Sequence, residues 1–184
     1  ASVGTNNSAV YRSPNGGIIW NETTLKNYNI WAIAISPQDP NSVYAASSSP
    51  GVIFYTSDGG QNWVETYLTP NGIYSLAFSP FDTTRVYAGT NDGVFVRVGT
   101  GNWTPLGLAG IPVSVIAAHP ARPGLLFAGT TQGVYFSVDA GSNWLAGPFQ
   151  LVGDTIQSIS FDSQDSHYVY FGTKTRGIAR VYFP

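Results

Sequence analysis

The segment from Gly51 to Tyr67 reads GVIFYTSDGGQNWVETY. Val52 to Thr56 is a run of β-branched and aromatic residues, which suits a pleated, half-buried strand. Ser57 to Asn62 collects Ser, Asp, Gly and Asn, the residues of a tight turn. A second extended stretch opens at Trp63. The segment therefore reads as one β-hairpin.

The same hairpin recurs along the chain. Glycine-led strands begin at Gly51, Gly93, Gly133 and Gly177 and read GVIF, GVFV, GVYF and GIAR. A first copy is Ser8 to Tyr11. Trp20, Trp63, Trp103 and Trp144 repeat at spacings of 43, 40 and 41. Two further strands complete each period. Strand a is Ile30 to Ser36, Ile73 to Ser79, Val113 to His119 and Ile156 to Asp162. Strand b is Val43 to Ala46, Val86 to Gly89, Leu126 to Gly129 and Val169 to Gly172, with a fifth copy at Ser2 to Gly4. The glycine-led strand is c, and the tryptophan opens strand d. No segment sustains a helical period. A repeat of about 40 residues with four short strands is the signature of a β-propeller blade. One such sheet cannot bury both its faces alone, so blades stack. The expected fold is all-β: a single propeller over residues 1–184, of about four to five four-stranded blades. The repeats run approximately 1–29, 30–72, 73–112, 113–155 and 156–184.

The turn between strands c and d carries a motif. It includes Thr56, Asp58, Gly60 and Trp63 in one repeat, and Ser137, Asp139, Gly141 and Trp144 in another. The first copy has Ser13, Asn15, Gly17 and Trp20, with Asn in place of Asp. The third copy, VRVGTGNW ending at Trp103, lacks the Ser and Asp and is one residue short, so a looser turn is expected there. The pattern resembles the Asp-box, S/T-x-D-x-G-x-x-W, also called the bacterial neuraminidase repeat. That motif occurs in sialidases, xyloglucanases, sortilin-type receptors and photosystem II assembly-factor propellers. The resemblance implies a structural motif on the side of the propeller away from the ligand face. The residue chemistry agrees. Asp and Ser side chains accept from turn amides, Gly permits a positive φ, and Trp supplies a large apolar plug.

The strand tally is 18, where five blades would need 20 and four would need 16. Three readings follow: a five-bladed ring with two ragged blades, part of a larger ring completed by further sequence or another copy, or an open arc that joins neighbours edge to edge. The first residue is Ala rather than Met, which favours the second.

Charged residues make up 10% of the chain, with 8 Lys plus Arg against 10 Asp plus Glu. That is too few basic groups to grip nucleic acid or an anionic membrane surface. No apolar run approaches the ~20 residues of a membrane-spanning helix. Cys is 0, which excludes disulfides and thiolate chemistry. The Ser-, Thr- and Asn-rich surface points to an extracellular or periplasmic setting. Asn6, Asn21 and Asn102 each open an acceptor pattern for glycosylation, which such a composition produces readily.

Catalytic groups are sparse. His119 precedes Pro120 at the end of a strand a, and His167 sits in a polar turn; both read as turn residues. A sialidase-like enzyme would need an arginine triad and a Tyr/Glu pair, and the arginines do not recur at equivalent positions. No metal ligand set and no cofactor are expected. Propeller ligands usually meet the b–c and d–a loops. Here those loops place Tyr28, Asn71, Asn91, Asp92, Thr131, Gln132, Asp154, Lys174 and Arg176 on a neutral, hydroxyl- and amide-rich face. The expected function is a non-enzymatic binding or scaffold propeller. Its expected partners are a protein, a further copy joined through the terminal sheet edges (residues 1–12 and 177–184), or a neutral carbohydrate. The alternative is a fragment of a glycoside hydrolase, xyloglucanase- or sialidase-like, in which Asp92 and Asp154 are the acids on ligand-side loops.

Overall fold

A computed structural model describes residues 9–49, 51–68, 72–147 and 151–183. Within them lie 17 strands. Blade 1 is the hairpin β1 (Ala9–Arg12) and β2 (Asn21–Lys26). Blade 2 is β3 (Ile30–Ile35), β4 (Val43–Ser48), β5 (Gly51–Thr56) and β6 (Val64–Thr66). Blade 3 is β7 (Ile73–Phe78), β8 (Arg85–Thr90), β9 (Gly93–Val98) and β10 (Thr104–Gly107). Blade 4 is β11 (Val113–Ala118), β12 (Leu126–Thr130), β13 (Gly133–Ser137) and β14 (Leu145–Ala146). Blade 5 is β15 (Ile156–Phe161), β16 (Tyr168–Thr173) and β17 (Ile178–Tyr182). Each expected strand falls where the repeat places it, except the copy at Ser2 to Gly4, which lies outside the described residues.

Blades 2 to 4 are four-stranded antiparallel meanders in the order a-b-c-d. The first strands β3, β7, β11 and β15 lie side by side, and among the described residues the sheets follow one another as an open arc, not a closed ring. Strand a has the same irregularity in every copy. The register slips between Ile30 and Ala32, Ile73 and Ser75, Val113 and Val115, and Ile156 and Ser158. A bulge at a fixed position bends and twists the strand, and its repetition gives all four a strands the same entry.

The core is a series of layers between blades. Tyr44, Ala46 and Ile53 of blade 2 meet Leu76, Phe78 and Val86 of blade 3. Tyr87 and Val94 of blade 3 meet Ile116 and Leu126 of blade 4. Phe127 and Val134 of blade 4 meet Val169 and Phe171 of blade 5. The alternation of a strand sends successive side chains to opposite faces, so each inner blade contributes to two layers. This is why β8 and β12 are buried at almost every residue.

The c–d turns tie the layers together. The Trp103 indole donates to Thr66 Oγ1 of the preceding blade at 3.1 Å, and Trp144 donates to the Leu106 carbonyl at 3.0 Å. Trp103 and Trp144 thus each cap the fourth strand of the blade before them, whereas the buried Trp63 indole N–H meets no acceptor among the described residues. The box glycine is needed for the same contact. Gly141 has φ +94, and a Cβ there would lie 2.4 Å from the Leu106 side chain. Trp20 departs from the expected plug. It is exposed, because among the described residues no blade precedes blade 1 to receive it. Trp103→Ala is expected to cost about 3–5 kcal/mol, the usual range for a buried aromatic. Trp20→Ala should leave stability nearly unchanged. Urea unfolding followed by far-ultraviolet circular dichroism checks both.

Candidate functional site

The box turns have the hydrogen bonding that their residues suggest. Asp58 Oδ1 accepts the Gln61 and Asn62 amides at 2.9 and 3.0 Å, and Thr56 Oγ1 accepts the Gly60 amide at 3.0 Å. Asp139 accepts the Asn143 amide at 2.8 Å, and Ser137 accepts the Gly141 amide at 2.8 Å. In the first copy Asn15 Oδ1 accepts the Ile19 amide at 2.8 Å, so Asn replaces Asp without loss of the bond. The amide of Asn62 foremost, with its side chain and the Thr56 hydroxyl, holds the Asp58 carboxyl far below the ordinary carboxylate range. The Asn143 side chain and amide lower Asp139 in the same way. The third turn has no side-chain carboxylate or hydroxyl of this kind. It closes through backbone, with the Gly101 amide on the Val98 carbonyl at 3.0 Å and the Gly99 amide on Thr84 at 2.7 Å.

On the opposite side, a second device recurs. Thr90 donates to the Gly93 carbonyl at 2.9 Å and accepts the Asp92 amide at 3.1 Å. Thr130 does the same with Gly133 and Gln132 at 2.8 and 3.0 Å. Thr173 does so with Gly177 and Arg176 at 3.0 and 2.9 Å. A buried threonine therefore staples each of these b–c loops. The signal was present in the sequence as a Thr three or four residues before the strand-c glycine.

The expected ligand-face residues divide in two. Asn91, Asp92, Thr131, Gln132, Lys174 and Arg176 lie on exposed b–c loops, and Tyr28 is half-buried against Phe54. Asn71 lies outside the described residues. The two acids serve their loops. Asp92 accepts the Gly110 amide at 2.7 Å. Asp154 is buried and accepts the Thr175 hydroxyl at 2.9 Å, with Arg176 Nε at 3.7 Å. Burial pushes the Asp154 carboxyl up, but hydrogen bonds from Thr175, Thr173 and the Thr155 amide bring it below its ordinary value.

A chiefly apolar recess lies elsewhere. A groove of about 370 Å³ runs between the β1–β2 hairpin and blade 2, lined by Val10, Trp20, Ile33, Ile35, Val43 and Trp63 among others. Its wall is chiefly apolar. The residue types gave no warning of it, since Ile33 and Ile35 occupy the positions of Leu76 and Phe78, which are buried in the next blade.

His119 is also more than a turn residue. It is buried, its Nδ1 accepts the Ala121 amide at 3.1 Å, and its Nε2 meets the Ser166 carbonyl of blade 5 at 2.8 Å. That pairing defines the neutral tautomer with the proton on Nε2. Burial lowers its pKa, opposed by the Ser166 bond.

No protein-family model matches the chain, and no curated protein matches it. Solved structures do. Ycf48 from Cyanidioschyzon merolae superposes over 100% of this chain and 65% of its own, with TM-score 0.72 and 16% identity. The Niastella koreensis GH74 enzyme matches 83% of this chain with TM-score 0.70 and 16% identity. The Xanthomonas campestris GH74 xyloglucanase matches 78% with TM-score 0.68 and 17% identity. The chain spans 28% and 26% of those two enzymes. At such identities the likeness is one of fold, and it agrees with four-stranded sheets arranged as propeller blades.

The lowered pKa of His119 means that protonation favours the unfolded chain. Its contribution to stability is complete above the ordinary value of 6.5 and is lost as pH falls from there toward the folded value. The urea midpoint is expected to drop between pH 7.5 and 5.5, and to drop less in His119→Gln.

Proposed function

We propose that this chain is a non-enzymatic binding or scaffold module of Asp-box propeller blades. It presents short polar b–c and d–a loops to a protein or a neutral glycan in an extracellular or periplasmic setting. Its terminal sheet edges add self-association. The observation that carries this reading is the fate of the two loop acids. Asp92 is engaged by the Gly110 amide, and Asp154 is buried under Thr175. A glycosidase acid pair must face the substrate from both sides of a cleft, and these carboxylates instead hold loop backbone and side chains. The same stapling favours binding. Threonine staples fix the loop backbones, so Asn91, Thr131, Gln132 and Lys174 are displayed with little ordering cost on contact.

The likeness to GH74 enzymes supports the rival reading of a hydrolase piece. The two separate in one experiment. The purified chain is incubated with a panel of neutral glycans that includes xyloglucan oligosaccharides, and both retention and reducing-sugar release are measured. Binding without hydrolysis, weakened about tenfold or more by the paired change Thr131→Ala and Gln132→Ala, is expected. Hydrolysis abolished by Asp92→Ala or Asp154→Ala would sink the binding-module reading.

A further inference from the structure

Each internal interface in this chain packs the forward face of one blade on the rear face of the next. The positions are set by register. On the rear face, Leu76 stands opposite Ala88 and Ile116 opposite Ala128, and both are buried. Ile33 stands opposite Ala45 in the same place on blade 2, yet it is 44% exposed, and Ile35 is 58% exposed. On the forward face, Val94 stands opposite Gly89 and Val134 opposite Gly129, again buried. Ile178 stands opposite Gly172 in blade 5 and is 78% exposed. The two ends of the arc therefore display the two halves of one interface type.

An arginine pair sharpens the match. The strand-c position opposite the strand-b aromatic is Tyr55, Val96 or Phe136 in the inner blades, and Arg180 in blade 5. Blade 1 has arginine there too. Arg12 pairs with Asn21 as Tyr55 pairs with Val64. Arg12 reaches across to blade 2, donating to the Gly59 carbonyl at 3.3 Å and Asn41 Oδ1 at 3.1 Å. The surrounding sequences correspond as well. Val3 to Arg12 reads VGTNNSAVYR, and Phe171 to Arg180 reads FGTKTRGIAR. The chain thus carries a second copy, at its far end, of the element that sits on blade 2.

We propose that blade 5 of one copy docks on the rear face of blade 2 in a second copy, in the place held by β1. Ile178 takes the seat of Val10, and Arg180 reaches the Gly59 carbonyl and Asn41. β15 and β16, for which blade 1 shows no counterpart among the described residues, lie over Ile33 and Ile35. Ser158 then faces the Ile33 amide as Ser75 accepts the Ile116 amide at 3.1 Å between blades 3 and 4. β1 leaves β2, and the free edge of β17 pairs with β2 in its stead, which completes a four-stranded blade from two chains. Because the two surfaces differ, the contact is heterologous and builds a ring or a filament. This deepens the edge-association part of the proposed function and does not depend on the loop face.

The chain has no Cys, so engineered thiols report contacts without background. Tyr170 and Ile35 occupy the positions of Tyr44 and Phe78, whose rings lie 5.6 Å apart. Ile35→Cys and Tyr170→Cys chains are prepared separately, mixed and oxidised. The expected product is a disulfide-linked dimer in the mixture and in neither chain alone. Sedimentation of the unmodified chain should give a multiple of 19.6 kDa, reduced to the monomer by the pair Ile33→Glu and Ile35→Glu. A dimer formed by Ile35→Cys alone would show face-to-face pairing and overturn the proposal. An intrachain bond in the doubly substituted chain would show self-closure and overturn it. A monomer that never cross-links would also overturn it, while leaving loop binding to glycans or proteins intact. Both cysteines replace side chains that are not fully buried, so the test does not depend on the glutamate variant folding.

Discussion

An indole that reaches back one blade does most to hold this arc together. Trp103 and Trp144 each place a large apolar body in the layer between sheets and a polar N–H on the preceding blade's fourth strand. That fourth strand is short, three residues in β6 and four in β10. So short a strand has few ladder bonds of its own. The tryptophan of the next repeat supplies the contact that keeps it in place, so blades 2 and 3 are each finished by their successor. This coupling between neighbours, and not any single sheet, is the unit of stability.

The box turn explains why so few charges suffice. Asp58 and Asp139 are each satisfied by several turn donors and stay ionised because those donors stabilise the carboxylate. Threonine hydroxyls do the corresponding work on the other side of the blades. Much of the remaining surface lies against a neighbouring sheet. Low charge follows from a chain that spends its polar groups on turns and its apolar groups on layers.

The strands were legible because period and residue type agreed. Alternation within strands such as Ile73 to Phe78, the turn residues between them and the recurring tryptophans all pointed to the same blade. The threonine staples were legible in principle, since Thr90, Thr130 and Thr173 stand at matching places, but a hydroxyl in a polar loop looks like any other. The bulge in strand a was not legible, because its residue is Trp31, Tyr74, Ser114 or Gln157 and shares no chemistry. Asp154 looked like a free loop acid. Its burial depends on Thr175 and Arg176, 21 and 22 residues further along.

The sequence by itself determined the blade: four short strands, a hydrogen-bonded turn and a tryptophan, repeated at about 40 residues. These are local matters, settled by propensity, alternation and turn chemistry within a single period. Tertiary structure alone decided which copies of a position are covered. Ile33 and Ile116 are the same residue at the same place in the repeat, one exposed and one buried. Nothing in either side chain separates them. The difference is whether a complete blade lies against that face, and this depends on the position of the blade in the arc.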